Sequence, residues 1–137
     1  MKNNPTIKKT KLHIMIIDDD MILILSIKKM LRESNVNWKV DFFTDARVAM
    51  FCLNKSKYDV IISDCNLPHM DGITFFNIVK KDFPELIRIL FSGNIIDDTQ
   101  LYSKKVVHRF IKKPFSIEQL KSAINETYTE KQNYFSM

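Results

Sequence analysis

The stretch Leu12–Asp20, LHIMIIDDD, decides the architecture. Its mostly apolar run, Leu12–Ile17, shows no alternation, which fits a strand covered on both faces, as in a parallel sheet packed between helix layers. It ends abruptly in Asp18, Asp19 and Asp20, and Met21–Arg32 follows with helix formers and apolar residues throughout. The same unit recurs along the chain. Trp38–Phe43 (WKVDFF) is a second strand, and Thr44 is placed to cap a helix running to about Leu53, with Ala46, Ala49, Met50 and Leu53 on one face. Asp59–Ser63 (DVIIS) is a third strand ending at Asp64; Asn66–Gly72 is a loop, and Ile73–Asp82 a helix stopped by Pro84. Leu86–Phe91 (LIRILF) is a fourth strand ending at Ser92–Gly93, followed by a weak helix over Asp97–Lys105. Val106–Ile111 is a fifth strand ending at Lys112, Lys113 and Pro114. Ser116 with Gln119 forms a capping box for a last helix, whose apolar positions Ile117, Leu120, Ile124 and Tyr128 recur at helical spacing.

Five strands alternating with five helices imply βαβ units, an α/β chain whose parallel sheet carries helices on both faces. Right-handed crossovers bring all the strand C-termini to one edge, where such sheets bind ligands.

Composition is consistent with this reading. A chain of 137 residues, 45% apolar and 27% charged, is ordinary for one soluble domain with its own core. Cys52 and Cys65 do not make a disulfide framework; Cys52 reads as a small core hydrophobe and Cys65 as an inert loop cysteine. No secretory signal and no run approaching the roughly 20 apolar residues of a membrane span is visible, so the cytoplasm is the expected location. The net charge of +5 is spread over lysine pairs such as Lys28–Lys29 and Lys80–Lys81, the pattern of solvated helix faces. The expected organisation is a flexible basic segment over 1–11, one domain over 12–128 and a frayed tail over 129–137, with no effector domain after it.

The ends of the strands carry the chemistry. Asp18, Asp19 and Asp20 close strand one, Asp64 strand three, Ser92 strand four and Lys113 strand five. Two carboxylates about 4 Å apart repel by about 4 kcal/mol at an effective dielectric near 20, so such a cluster calls for a cation. A hard divalent ion with oxygen ligands is the natural one; Mg²⁺ binds one or two carboxylates and completes its shell with water and phosphate oxygens. An ionised carboxylate beside such an ion and a lysine can act as nucleophile in phosphoryl transfer and form an aspartyl-phosphate.

Five stretches carry a family resemblance: IIDDD (Ile16–Asp20), FTDARVAM (Phe43–Met50), IISDCNLPHMDG (Ile61–Gly72), LFSG (Leu90–Gly93) and RFIKKPF (Arg109–Phe115). Over Leu12 to Tyr128 the sequence resembles the receiver domains of bacterial response regulators in two-component signalling, chemotaxis-type stand-alone receivers included. The resemblance implies a flavodoxin-like doubly wound sheet of order 2-1-3-4-5. It makes Asp64 the phosphoacceptor. Asp19, Asp18, Asp64 and the main-chain carbonyl of Asn66 become the metal site for Mg²⁺ (or Mn²⁺). Ser92 and Lys113 become the groups that contact the phosphoryl oxygens, and the Lys113–Pro114 bond is expected to be cis. Ser92 and Phe110 become the switch pair, Phe110 lying opposite Ser92 and filling the space that Ser92 vacates. Phe110 lacks the hydroxyl of the tyrosine frequent there.

On this reading a histidine kinase or histidine phosphotransfer protein donates the phosphoryl group. A downstream protein then reads the face made by the fourth helix, fifth strand and fifth helix. Lys104, Lys105, His108, Arg109, Lys112 and Lys121 make that face basic, with Glu118 its chief acid, which suits an acidic partner. Nucleic acid is a weaker reading, since no helix-turn-helix or similar module is present, and no membrane partner is expected. The chain is not expected to be an enzyme beyond self-catalysed transfer and loss of its own phosphoryl group. Two alternatives are an aspartate-nucleophile phosphatase of the haloacid dehalogenase type and a pseudo-receiver that binds without being phosphorylated. The phosphatase requires an acid two residues after its nucleophile, and Asn66 stands there.

Overall fold

The computed structural model describes residues 11–93 and 105–136. In chain order the elements are β1 (Leu12–Ile17), α1 (Met21–Glu33), β2 (Trp38–Phe43), α2 (Ala46–Leu53), β3 (Val60–Asp64), α3 (Gly72–Asp82), β4 (Ile87–Ser92), β5 (Arg109–Lys112) and a last helix α4 (Ile117–Ser136). The five strands pair in parallel, as the alternation predicts, in the order β2-β1-β3-β4-β5 that the family resemblance implies.

Strand pleating divides the apolar side chains between two cores. Met15, Ile17, Ile61 and Leu90 face α2 and α3, where Ala46, Ala49, Leu53, Phe75, Phe76 and Val79 meet them. Ile14, Ile16, Ile62, Ile89 and Phe91 face α1 and α4, against Ile27, Leu120 and Ile124. Burial on both faces explains why β1 and β4 read as mostly apolar runs without alternation; all six residues of β4 are buried.

Each helix starts on a side-chain cap. Asp20 accepts from the Ile22 and Leu23 amides, Asp71 from the Thr74 amide, and Ser116 exchanges bonds with Gln119 in the expected capping box. The cap of α2 is Asp45 and not Thr44: the Asp45 carboxylate, one residue later, takes the Arg47 amide at 2.8 Å.

Other expectations are corrected. Strands β3 and β4 each run one residue further, so that Asp64 and Ser92 are themselves the last rungs. Val106 and Val107 are buried, but β5 pairs only over Arg109–Lys112. The buried Arg88 side chain takes the carbonyls of Lys105 and Val106 at 2.8 Å each, and those of Leu86 at 2.9 Å and Pro84 at 3.5 Å, so side-chain bonds hold the approach to β5 where a ladder was expected. The last helix does not give way to a tail at Thr129; it continues to Ser136, held to β5 where Arg109 pairs with Glu126 and Glu130 and donates to the Thr127 hydroxyl. The weak helix expected over Asp97–Lys105 lies outside the described residues except for Lys105, and so does the basic lead except for Lys11.

Candidate functional site

The C-terminal ends of β1, β3, β4 and β5 form one crevice. Asp18 follows β1 directly, and its amide donates to the Phe43 carbonyl, which extends the β1–β2 ladder by one step. Its side chain is fully buried; Oδ1 accepts from the Asp20 amide at 2.9 Å, and Oδ2 lies 2.8 Å from Lys113 Nζ. Asp64, half-buried at the end of β3, presents Oδ1 to the same ammonium at 3.1 Å. Asp19 is exposed at the rim. Oxygens of Asp18, Asp19 and Asp64 all lie within 4.8 Å of one another. Lys113 sits one residue beyond β5; its amide donates to the Ser92 carbonyl at 2.7 Å, and the Lys113–Pro114 bond is cis.

Three carboxylates face one ammonium, which leaves two negative charges. A divalent cation would neutralise both, and an all-oxygen donor set suits Mg²⁺ or Mn²⁺. The titration behaviour agrees. Burial pushes the Asp64 carboxyl up and the Asp18 charge adds to this, while Lys113 pulls it down without cancelling them. Burial pulls the Lys113 ammonium down, but its hydrogen bonds and charge contacts with Asp18 and Asp64 outweigh that and hold it above the usual lysine range. One lysine thus serves two acids, which leaves Asp64 poorly neutralised and open to a further positive charge.

The neighbours fix this geometry. Gly72 opens α3 against the main chain of Asp64: a Cβ there would lie 2.2 Å from the Asp64 carbonyl oxygen. The Gly72 amide donates to the Cys65 carbonyl at 2.9 Å. Lys113 Nζ lies 5.6 Å from the centre of the Phe91 ring, and Phe91 stacks on Phe115. Burial and then the charges of Asp64 and Asp71 push the Cys65 thiol up, so it is protonated near neutrality, in keeping with an inert cysteine.

The structure therefore gathers Asp18, Asp19, Asp64 and Lys113 as expected, with Ser92 buried at the adjoining end of β4. Asn66 stands two residues beyond Asp64 in the exposed loop before α3. Phe110 is corrected: it pairs with Leu90, and Ser92 pairs with Lys112. Phe110 packs partly buried against the core on the α2–α3 side, two residues back along the sheet from the level of Ser92. The basic face is also weaker than expected. Arg109 is tied to Glu126 and Glu130, and the His108 imidazole is lowered to about 4 by burial and then by the Arg88 charge, so it is neutral near pH 7. Lys104 lies outside the described residues.

Sequence reasoning missed Arg88, although a lone arginine inside the apolar run LIRILF is a signal in its own right. It placed Gly72 in the loop, whereas Gly72 is the first residue of α3, and missed its close approach to Asp64. Among the described residues no helix is long and apolar enough to cross a membrane.

Comparison with known proteins agrees with the fold. Transcription factor SKN7 of Saccharomyces cerevisiae is 28% identical over 124 residues, 90% of this chain but 20% of that protein. The two-component response regulator ORR26 of Oryza sativa subsp. japonica is 29% identical over 127 residues, 88% of this chain and 21% of that protein. The chain thus spans about a fifth of the length of these curated relatives. Among solved structures, the signal receiver domain of an HD domain-containing protein from Pseudomonas fluorescens Pf-5 superposes with a TM-score of 0.81 at 22% identity, covering 98% of each chain. The chemotaxis response regulator CheY4 of Vibrio cholerae gives a TM-score of 0.75 at 23% identity, over 86% of this chain and 99% of that one. The family model described as the response regulator receiver domain matches residues 14–125, with the acidic crevice and its lysine inside the match, and the chain belongs to that family.

Proposed function

We propose that this receiver domain accepts a phosphoryl group on Asp64 from a phosphohistidine of a histidine kinase or phosphotransfer protein. The observation that carries this is the single ammonium of Lys113 placed 2.8 Å from Asp18 and 3.1 Å from Asp64, at the meeting point of strands remote in sequence. In the transfer an Asp64 carboxylate oxygen forms the new P–O bond, the donor's P–N bond breaks, and the imidazole leaves with the electron pair. Asp64 needs no general base, because it attacks as the carboxylate. Lys113 stays beside the oxygens of the incoming group and offsets the charge that develops on them. The Ser92 hydroxyl, at the end of β4, is the neighbouring donor for those oxygens. Asp18, Asp19 and Asp64, with the main-chain carbonyl of Asn66, would hold Mg²⁺, which supplies the remaining positive charge.

The phosphorylated side chain carries about −1.5 to −2 charges and three acceptor oxygens, and draws Ser92 and Lys113 toward it. Both lie where β4 and β5 end, so the surface of β5 and α4 reports the change to a downstream protein. Phe110, beside Leu90, would follow Ser92 along the strand rather than swing directly across from it.

Incubation with acetyl phosphate and Mg²⁺, followed by intact-mass measurement, tests the assignment. One phosphoryl adduct is expected, absent from Asp64→Asn and from a sample treated with a chelator. An adduct that survives in Asp64→Asn, or none in the parent chain, would refute it.

A further inference from the structure

Lys113 reaches the crevice on a flexible stem, and of the two acids that hold it both would be drawn on by a bound cation and one, Asp64, would become an ester. Its third neighbour is uncharged. Nζ lies 5.6 Å from the centre of the Phe91 ring, inside the roughly 6 Å over which an aromatic face attracts an ammonium, and that attraction grows as water is removed. Phe91 is fully buried and is the register partner of Asp64 on one side and Ile111 on the other. Its ring is braced: Phe115 stacks on it at 5.0 Å between centres with 7° between planes. Phe115 follows Pro114, so the residue that braces the ring sits two positions from the lysine that the ring faces.

We propose that Phe91, backed by Phe115, is a positioning residue that keeps the Lys113 ammonium on the crevice floor while the charges around it change; the idea rests on the phosphoacceptor reading above. A carboxylate at this place would compete for the cation and repel phosphoryl oxygens. An aliphatic side chain would fill the space without holding the charge. Ile87 and Ile89, which fill the same core from the same strand, show that volume alone does not call for a ring. The aromatic side chain stands at the one of these three positions that the ammonium approaches.

Replacing Phe91 in the full chain with mono-, di- and trifluorophenylalanine drains the π face while nearly preserving shape. The rate of phosphoryl gain from acetyl phosphate and Mg²⁺ should fall stepwise, by about three- to tenfold at the trifluoro ring. The melting temperature should stay nearly constant, and the trend should vanish in a Lys113→Met background. A flat series in a parent that is phosphorylated overturns the proposal. NMR of the Lys113 side chain gives a readout independent of phosphorylation: its ε-methylene protons should be shifted upfield by the ring current, and Phe91→Leu should abolish the shift. If the parent takes up no phosphoryl group, the phosphoacceptor reading fails, and the NMR shift alone decides the platform, its absence overturning it.

Discussion

Replacing Gly72 with alanine sets two effects of opposite sign against each other. Gly72 is the first residue of α3 and does not have a positive φ, so alanine can adopt its backbone conformation. Helix propensity alone then favours alanine, by up to about 1 kcal/mol in a helix interior and less at its first turn. Against this, the new Cβ would lie 2.2 Å from the Asp64 carbonyl oxygen and 3.1 Å from Ser63 Oγ, whereas ordinary contact begins near 3.4 Å. Helix and strand must part by about 1 Å. The obstacle is main chain, and β3 is held by β1 on one side and β4 on the other, so it yields little. Overpacking of this kind costs about 1–3 kcal/mol, and stretching the Gly72 amide bond to Cys65 adds to it. The net expectation is a loss of about 2–3 kcal/mol, or roughly 5–12 °C in melting temperature for a domain of this size. Thermal unfolding followed by circular dichroism measures it, with Thr74→Ala, exposed on the same helix, reporting propensity alone. A Gly72→Ala variant as stable as the parent would mean that α3 does not bear on the Asp64 main chain.

Lys113→Met leaves the fully buried Asp18 without its ammonium and should cost about 2–4 kcal/mol in chelator, with Mg²⁺ raising the variant's melting temperature more than the parent's; equal gains would show that the lysine is not the counter-charge. The His108 imidazole is lowered to about 4 in the folded chain from an ordinary value of 6.5, so the unfolded chain takes up a proton that the native one refuses as pH falls between those values. Its contribution is full above pH 6.5 and is lost toward pH 4, on the order of 2 kcal/mol. His108→Gln should remove that part of the decline in urea midpoint, and an unchanged pH profile would refute the assignment. Arg88→Met leaves buried carbonyls without donors and should cost about 3 kcal/mol, speed hydrogen exchange at Val106–His108 and resist rescue by lysine, which lacks the planar fork; normal exchange there would count against the clamp.

The parallel sheet was legible because burial on both faces leaves a direct trace, the mostly apolar runs of β1 and β4, while its strand order followed only from the family resemblance. The site was legible for a related reason: acids and a lysine that end apolar strands have little structural use there, and a common edge brings them together. What escaped depends on side chains that replace backbone pairing. Val106 and Val107 have strand composition, yet Arg88 takes the carbonyls of Lys105 and Val106, and burial without a ladder looks the same in sequence as burial with one. The pairing of Phe110 with Leu90 depends on a register that composition does not encode. The extension of α4 past Tyr128 comes from Glu126 and Glu130 meeting Arg109 on another element, a long-range match invisible to helical periodicity.

Strand β5 has four residues and lies at the border of the sheet, where few rungs oppose sliding. A slip by one residue would turn its core-facing side chains to the opposite side and carry Lys113 away from the acids. Arg88 guards against this from the far end of the strand. Its guanidinium is held on the β4 side by the carbonyls of Pro84 and Leu86 and takes those of Lys105 and Val106 at the entry to β5, so sliding β5 past β4 would break both bonds to the β5 side at once. The alignment of the lysine with its acids is thus indexed by an arginine at the opposite margin of the sheet.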